Sequence, residues 1–113
     1  MRVAWSDAAL DDVEAITDYI ARDNFTAAAR AERRIREAIA LLADQPAMGR
    51  PGRVGRTREL IVRPYIVPYH VRGQVIEVLA VIDGRRGNID DIIAGRLADA
   101  GGLGPGGIDP DVG

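Results

Sequence analysis

The run QVIEVLAVID, residues 74–83, leaves the chain little freedom in how it folds. Read with a period of two, Ile76, Val78, Ala80 and Ile82 fall on one face, and Val75, Leu79 and Val81 on the other, interrupted by Glu77. A strand that is apolar on nearly both faces is predicted to lie centrally in a sheet. It stops abruptly in Asp83-Gly84-Arg85-Arg86, so a buried strand delivers a carboxylate and two guanidinium groups to the sheet's end.

The remaining patterns supply partners for that strand. RVAWS alternates Val3 and Trp5 with Ala4 and Ser6 and reads as a strand over 2–6. Ser6 can cap a helix over 7–22, with Asp7, Asp11 and Asp12 near the positive end of its dipole. Leu10, Val13, Ile16 and Ile20 recur at steps of three and four and make one apolar stripe. RDNFT breaks the pattern and offers Asn24 or Thr26 as the next cap. A second helix is predicted over 27–44, burying Ile35, Ala38, Ile39 and Leu42. Its other side, Arg30, Glu32, Arg33, Arg34, Arg36 and Glu37, reads as a solvated face. QPAMGRPGRVGR, residues 45–56, holds two prolines and three glycines and cannot continue a helix.

RELIV, YIVPYHV and QVIEVLAVID then read as strands over 57–63, 65–72 and 74–83, with Arg72-Gly73 as the tight turn between the last two. Pro68 implies that its strand lies near an edge or is bulged there. From Gly87 the signal weakens to a short helix in NIDDIIAGRLADA, followed by GGLGPGGIDPDVG, which has the composition of a flexible tail. The order β-α-α-β-β-β predicts an α+β domain, a helical hairpin packed on a small, mostly antiparallel sheet. Residues 1–87 form the domain in this reading and 88–113 a C-terminal extension.

With 113 residues the chain can build one core but not two. It has no cysteine, which excludes a disulfide framework or a thiolate metal site. No metal-ligand cluster is visible, and neither a metal nor a cofactor is expected. The N-terminus lacks the apolar region of a signal peptide and no apolar run is long enough to span a membrane, so a cytoplasmic protein is expected. All fifteen basic residues are arginine, a choice that genomic GC bias would favour. Their placement is uneven. Residues 1–49 carry six Arg against nine acids (net −3), residues 50–86 eight against three (net +5), and residues 87–113 one against five (net −4). Such a basic middle third seeks an acidic partner or phosphates.

Four stretches, WSDAALDDVEAITDYIARDN, PAMGRPGRVGRTREL, PYIVPYHV and VIEVLAVIDGRR, fall in the order and spacing of the RelE/ParE superfamily, whose members are the toxins of bacterial type II toxin–antitoxin modules. The resemblance covers residues 3–86 and is most specific in MGRPG and in VLAVIDGRR. It implies the same hairpin-on-sheet fold and a cognate antitoxin that wraps a disordered segment around the toxin. An acidic antitoxin tail would neutralise the basic middle segment. Where family members often carry proline, this chain has Asp7 and Phe25, and where many carry histidine it has Asp83.

The resemblance implies two chemistries. RelE-type relatives cleave mRNA on the ribosome, which needs a base, an acid and positive charge on the phosphate. Arg58, Arg63, Arg85 and Arg86 could supply the charge. His70 is the only histidine, and alternation puts it with Ile66 and Pro68, away from Tyr65 and Tyr69 and without a partner acid. Gly87, Asn88 and Ile89 stand where active nucleases place a terminal Tyr or His. ParE-type toxins instead block DNA gyrase as binding proteins, which requires an arginine-rich surface and no acid–base pair. The MGRPG loop and the GRR ending resemble that branch more, so the chain reads as a gyrase inhibitor rather than an enzyme. The alternatives are a metal-independent endoribonuclease and a non-toxic relative that only binds antitoxin and regulates. Candidate target-binding residues are Arg85, Arg86, Arg58, Arg63, Arg50, Arg53 and Arg56; Asp83, Gly84, Tyr69 and His70 are orienting or structural. Gly84 would let the chain turn so that Arg85 and Arg86 project, while Asp83 could pair with either of these or with Arg63.

Overall fold

The computed structural model describes residues 1–103. Strand β1 (Arg2–Trp5) leads into helix α1 (Asp7–Ala21), which Ser6 caps by accepting the Ala9 N–H at 3.0 Å. Asn24, not Thr26, caps helix α2 (Phe25–Ala40), its Oδ1 accepting the Ala27 N–H at 2.9 Å. The second helix therefore starts two residues earlier than the apolar pattern predicts, and it ends in a 3₁₀ turn, Leu41–Ala43. Ala9 and Val13 of α1, and Ile35, Ile39 and Leu42 of α2 and its turn, are buried against one face of the sheet. In α2 the predicted stripe is the packed one, whereas α1 is rotated from its predicted stripe: Ala9 and Val13 are buried, Ile16 and Ile20 are half-buried and Leu10 is exposed.

Strands β2 (Arg50–Pro51), β3 (Arg58–Val62), β4 (Tyr65–Arg72), β5 (Val75–Val78) and β6 (Ile82–Asp83) complete the sheet. Its order is β1-β5-β4-β3-β2, with β6 pairing β4 beyond the end of β5. Among the described residues only β1 and β5 pair in parallel, and the other pairings are antiparallel. The tight turn between β4 and β5 is Gly73-Gln74 rather than Arg72-Gly73, because Arg72 pairs with Val75. Gly73 takes φ +62°, the left-handed region that suits glycine.

Pro68 does not mark an edge. It sits in β4, with β3 on one side and β5 and β6 on the other. The Pro68 carbonyl accepts the Leu79 N–H at 2.9 Å, so this residue's backbone faces the last strand, and proline has no N–H to return the bond. The ladder slips there. Tyr69 pairs with Val78 but Ile66 with Ile82, so two residues of β4 oppose three, Leu79–Val81. This bulge breaks the predicted strand 74–83 and reverses its alternation. Ile76, Val78 and Val81 face the helical hairpin, whereas Ala80 and Ile82 turn to the opposite face.

Helix α3 (Ile89–Leu103) covers that second face, where Ile89 and Ile93 pack on Ile66, Ala80 and Ile82. Burying each isoleucine contributes roughly 2 kcal/mol. The helix is 15 residues long and runs into the first three residues of the sequence expected to be a tail; residues 104–113 lie outside the described residues. Among the described residues no helix is long and apolar enough to cross a membrane.

Side chains from two helices satisfy the backbone groups that the bulge removes from the ladder. Asp12 of α1 accepts the Val81 N–H at 2.9 Å. Arg96 of α3 donates to the Leu79 carbonyl at 2.8 Å and grips both Asp12 oxygens at 3.0 Å. Replacing Asp12 with Ala leaves the Val81 amide without its acceptor and the Arg96 guanidinium without its charge partner, at an expected loss of about 2 kcal/mol. For a domain of this size the melting temperature should fall by about 10 °C. An unchanged transition would show that water replaces the carboxylate at no cost.

Candidate functional site

The loop between the hairpin and β3 is shaped by a carboxylate that lies within the basic segment. Glu59 is 1% exposed and collects Arg50 (Nη2 2.9 Å, Nε 3.3 Å) together with Arg53, which binds through Nε (2.9 Å), Nη2 (3.1 Å) and its backbone N–H (3.0 Å). Burial pushes the Glu59 carboxyl up, but the hydrogen bonds from Arg53 and Arg50 outweigh it and lower it to about 2. Arg58 donates to the Gly49 carbonyl at 2.7 Å, and the buried Tyr69 hydroxyl accepts the Gly49 N–H (2.9 Å) while donating to the Pro46 carbonyl (2.7 Å). A Cβ at Gly49 would lie 2.7 Å from the Tyr69 ring, which is why the MGRPG loop needs glycine there. Arg50, Arg53 and Tyr69 are therefore spent on holding the loop, and Arg58 in part. The sequence signal for Glu59 is that it is the one acid in the strand RELIV.

At the end of the last strand, Asp83 takes Arg85 as its partner rather than Arg86 or Arg63. Asp83 Oδ1 accepts both the Arg85 N–H and Nε at 2.9 Å, and Oδ2 accepts Nη2 at 2.6 Å. The Arg85 guanidinium lowers the Asp83 carboxyl to about 2. Gly84 serves by close approach, its N–H donating to the Pro64 carbonyl at 2.8 Å, where a Cβ would stand 3.1 Å from that oxygen. Arg86 is exposed and lines an open cleft of about 480 Å³ with Arg53, Asn88 and Asp90. Arg34, assigned to a solvated face by the sequence pattern, reaches across to donate to the Arg63 carbonyl. Among the described residues the Arg56, Arg63 and Arg86 side chains make no ion pair.

His70 has a partner acid after all. It pairs across the strands with Glu77, whose Oε1 lies 2.9 Å from Nε2 and 3.4 Å from Arg72 Nη2. His70 is also remote from the strand end, because Asp83 pairs with Tyr65, five residues back along β4. At about 3.3 Å per residue the separation is roughly 16 Å. Among the described residues no group of three or more His, Cys, Asp or Glu could hold a metal ion.

Residues 3–87 match the family described as "ParE toxin of type II toxin-antitoxin system, parDE". The Sinorhizobium fredii (strain NBRC 101917 / NGR234) protein named "Putative toxin Y4kP" is 45% identical over 83 residues, covering 72% of this chain and 85% of its own. The Caulobacter vibrioides (strain ATCC 19089 / CIP 103742 / CB 15) protein named "Toxin RelE2" is 31% identical over 80 residues, covering 71% and 91%. A chain of the solved structure "Chromosomal ParDE TA system from P. aeruginosa" superposes with a TM-score of 0.67 at 28% identity, over 74% of this chain and 95% of that one. The family match ends just before α3 begins.

The lowered Glu59 carboxyl fixes a pH dependence. Its stabilising share is fully present above the unfolded value of 4.5 and is lost as pH falls through about 2. Across that interval it amounts to about 3 kcal/mol. The difference in unfolding free energy between the parent and Glu59→Gln should therefore shrink as pH is lowered from 5 to 2, followed by denaturant titration. A difference independent of pH would mean that the carboxylate is not the charged anchor of the loop.

Proposed function

The chain belongs to the ParE toxin family of type II toxin–antitoxin systems, and on that premise we propose that it arrests growth as a binding protein, holding DNA gyrase on its DNA through the arginines at the end of the last strand. The observation that carries this reading is the strand end itself. Asp83 fixes Arg85 by a two-point contact, and the exposed Arg86 follows directly, with no imidazole nearer than the one roughly 16 Å along β4. Such an end can grip phosphates and acidic surface, and it lacks the base that phosphodiester cleavage requires.

Toxins of type II systems pair with a cognate antitoxin. An acidic segment of that antitoxin suits this chain, because Glu59, Glu77 and Asp83 neutralise only part of the eight arginines in residues 50–86. A second reading has one observation in its favour. Glu77 orients the His70 imidazole as a general base would be oriented, which suits a ribosome-dependent, metal-independent endoribonuclease.

Expression of the chain without antitoxin separates the two: a DNA-damage reporter responds to trapped gyrase, whereas immediate loss of amino-acid incorporation follows mRNA cleavage. No growth arrest at all would leave a relative that only binds antitoxin. Within the gyrase reading, Arg85→Ala with Arg86→Ala should abolish growth arrest, since each lost charge-assisted hydrogen bond weakens binding by tenfold or more. The melting temperature should hold within about 2 °C, because the Asp83–Arg85 pair is exposed. Full toxicity of that variant would move the contact to the loop. His70→Gln should leave growth arrest intact, and its loss from a folded variant would favour the nuclease.

A further inference from the structure

Beside His70 lies a cleft of about 430 Å³ that the strand end does not use, with Arg56, Arg58 and His70 on its polar side and Pro51 and Val71 as apolar wall. Arg56 is held there in a conformation its residue type avoids. Its φ is +69°, in the left-handed region that crowds any residue bearing a Cβ. The loop enforces this by closing on itself, Gly52 N–H donating to the Thr57 carbonyl at 2.8 Å and Thr57 N–H to the Val54 carbonyl at 3.2 Å. Glycine at 56 would make the same turn without strain. An arginine stands there instead, exposed, with no hydrogen bond from its side chain to protein among the described residues. Strain retained in this way concentrates at functional positions.

The charge around the cleft is also unbalanced. Arg58 uses Nη1 on the Gly49 carbonyl, which leaves Nε and Nη2 without protein acceptors among the described residues. The two acids nearby are committed: Glu59 to Arg50 and Arg53, and Glu77 to His70 and Arg72. Two guanidinium groups thus border a space large enough for one nucleotide, and Val71, 45% exposed, offers apolar surface with Pro51. Guanidinium forks match phosphate geometry, and a base can rest on an apolar wall.

We propose that this cleft binds a nucleotide phosphate, with Arg56 and Arg58 on the phosphate and Pro51 and Val71 against the base. The phosphate could belong to a single-stranded nucleic acid or to a free mononucleotide. The site does not depend on the gyrase reading, which rests on the opposite end of β4.

The purified full chain is titrated, by fluorescence anisotropy, into a fluorescein-labelled single strand of ten nucleotides. AMP and inorganic phosphate are tested as competitors, and AMP binding is measured directly by calorimetry. Binding of the strand without competition by AMP assigns the site to nucleic acid, and competition by AMP assigns it to free nucleotide; either supports the proposal. Arg56→Gly and Arg56→Asn, both compatible with a left-handed residue, should weaken the binding at least tenfold, the effect of one lost charge-assisted hydrogen bond. Because the change relieves strain, the glycine variant should melt no lower than the parent. Arg85→Ala with Arg86→Ala should leave AMP binding unchanged if AMP binds. The proposal is overturned if the parent binds none of the three probes, or if both Arg56 variants bind as tightly as the parent.

Discussion

One missing amide sets the phase of the second half of this molecule. A central strand must pair its backbone on both sides, and Pro68 has no N–H to give to the last strand. The resulting bulge shifts the register by one residue, and since side chains alternate with a period of two, every side chain beyond it changes face. Ala80 and Ile82 thereby leave the hairpin core and become the seat of α3. The same shift sets how Asp83 leaves the sheet and hence where Arg85 is held. The bulge in turn survives only because Asp12 and Arg96 bond the groups it frees, so α1 and α3 are tied to each other through a defect in the sheet between them.

The basic middle segment is less available than its charge suggests. Three acids lie among its eight arginines, and each holds at least one of them. Glu59 is buried, so breaking its pairs leaves a charge without solvent, and the loop it organises is rigid for that reason. The uncompensated charge rests on Arg56, Arg58, Arg63 and Arg86. All four stand at turns or strand ends, where the sheet holds their backbone in place, which is how a small domain offers cations without the entropy cost of ordering a mobile patch.

How much could be read beforehand follows from the range of each interaction. Ser6 as a cap, Asn24 as one of two cap candidates, the apolar stripe of α2 and the chain order of the main strands are local and were legible. Asp12 and Arg96 are 84 residues apart, and no periodicity connects them. The His70–Glu77 pair was lost through a single residue. A turn at Arg72-Gly73 would have set His70 opposite Val75, whereas the turn at Gly73-Gln74 sets it opposite Glu77. Pro68 signalled a bulge or an edge with equal force, because both relieve the missing amide, and only the presence of strands on both sides of β4 decides between them. The helix after Asn88 read as weak because its burial is confined to a few positions, chiefly Ile89 and Ile93, rather than a long stripe.

The absence of lysine also has a physical side that codon bias leaves out. Asp12, Glu59 and Asp83 each receive a two-point grip from one guanidinium, Arg96, Arg53 and Arg85 respectively, with one nitrogen on each carboxylate oxygen. An ammonium is a point donor and cannot span both oxygens in a fixed plane. In each case the orientation matters as much as the charge. Arg96 must also reach the Leu79 carbonyl, Arg53 must lay the loop along β3, and Arg85 must be held still at the end of a strand. A lysine at these positions would conserve the net charge and the family resemblance while loosening the joints that connect the loop, the bulge and the strand end to the sheet.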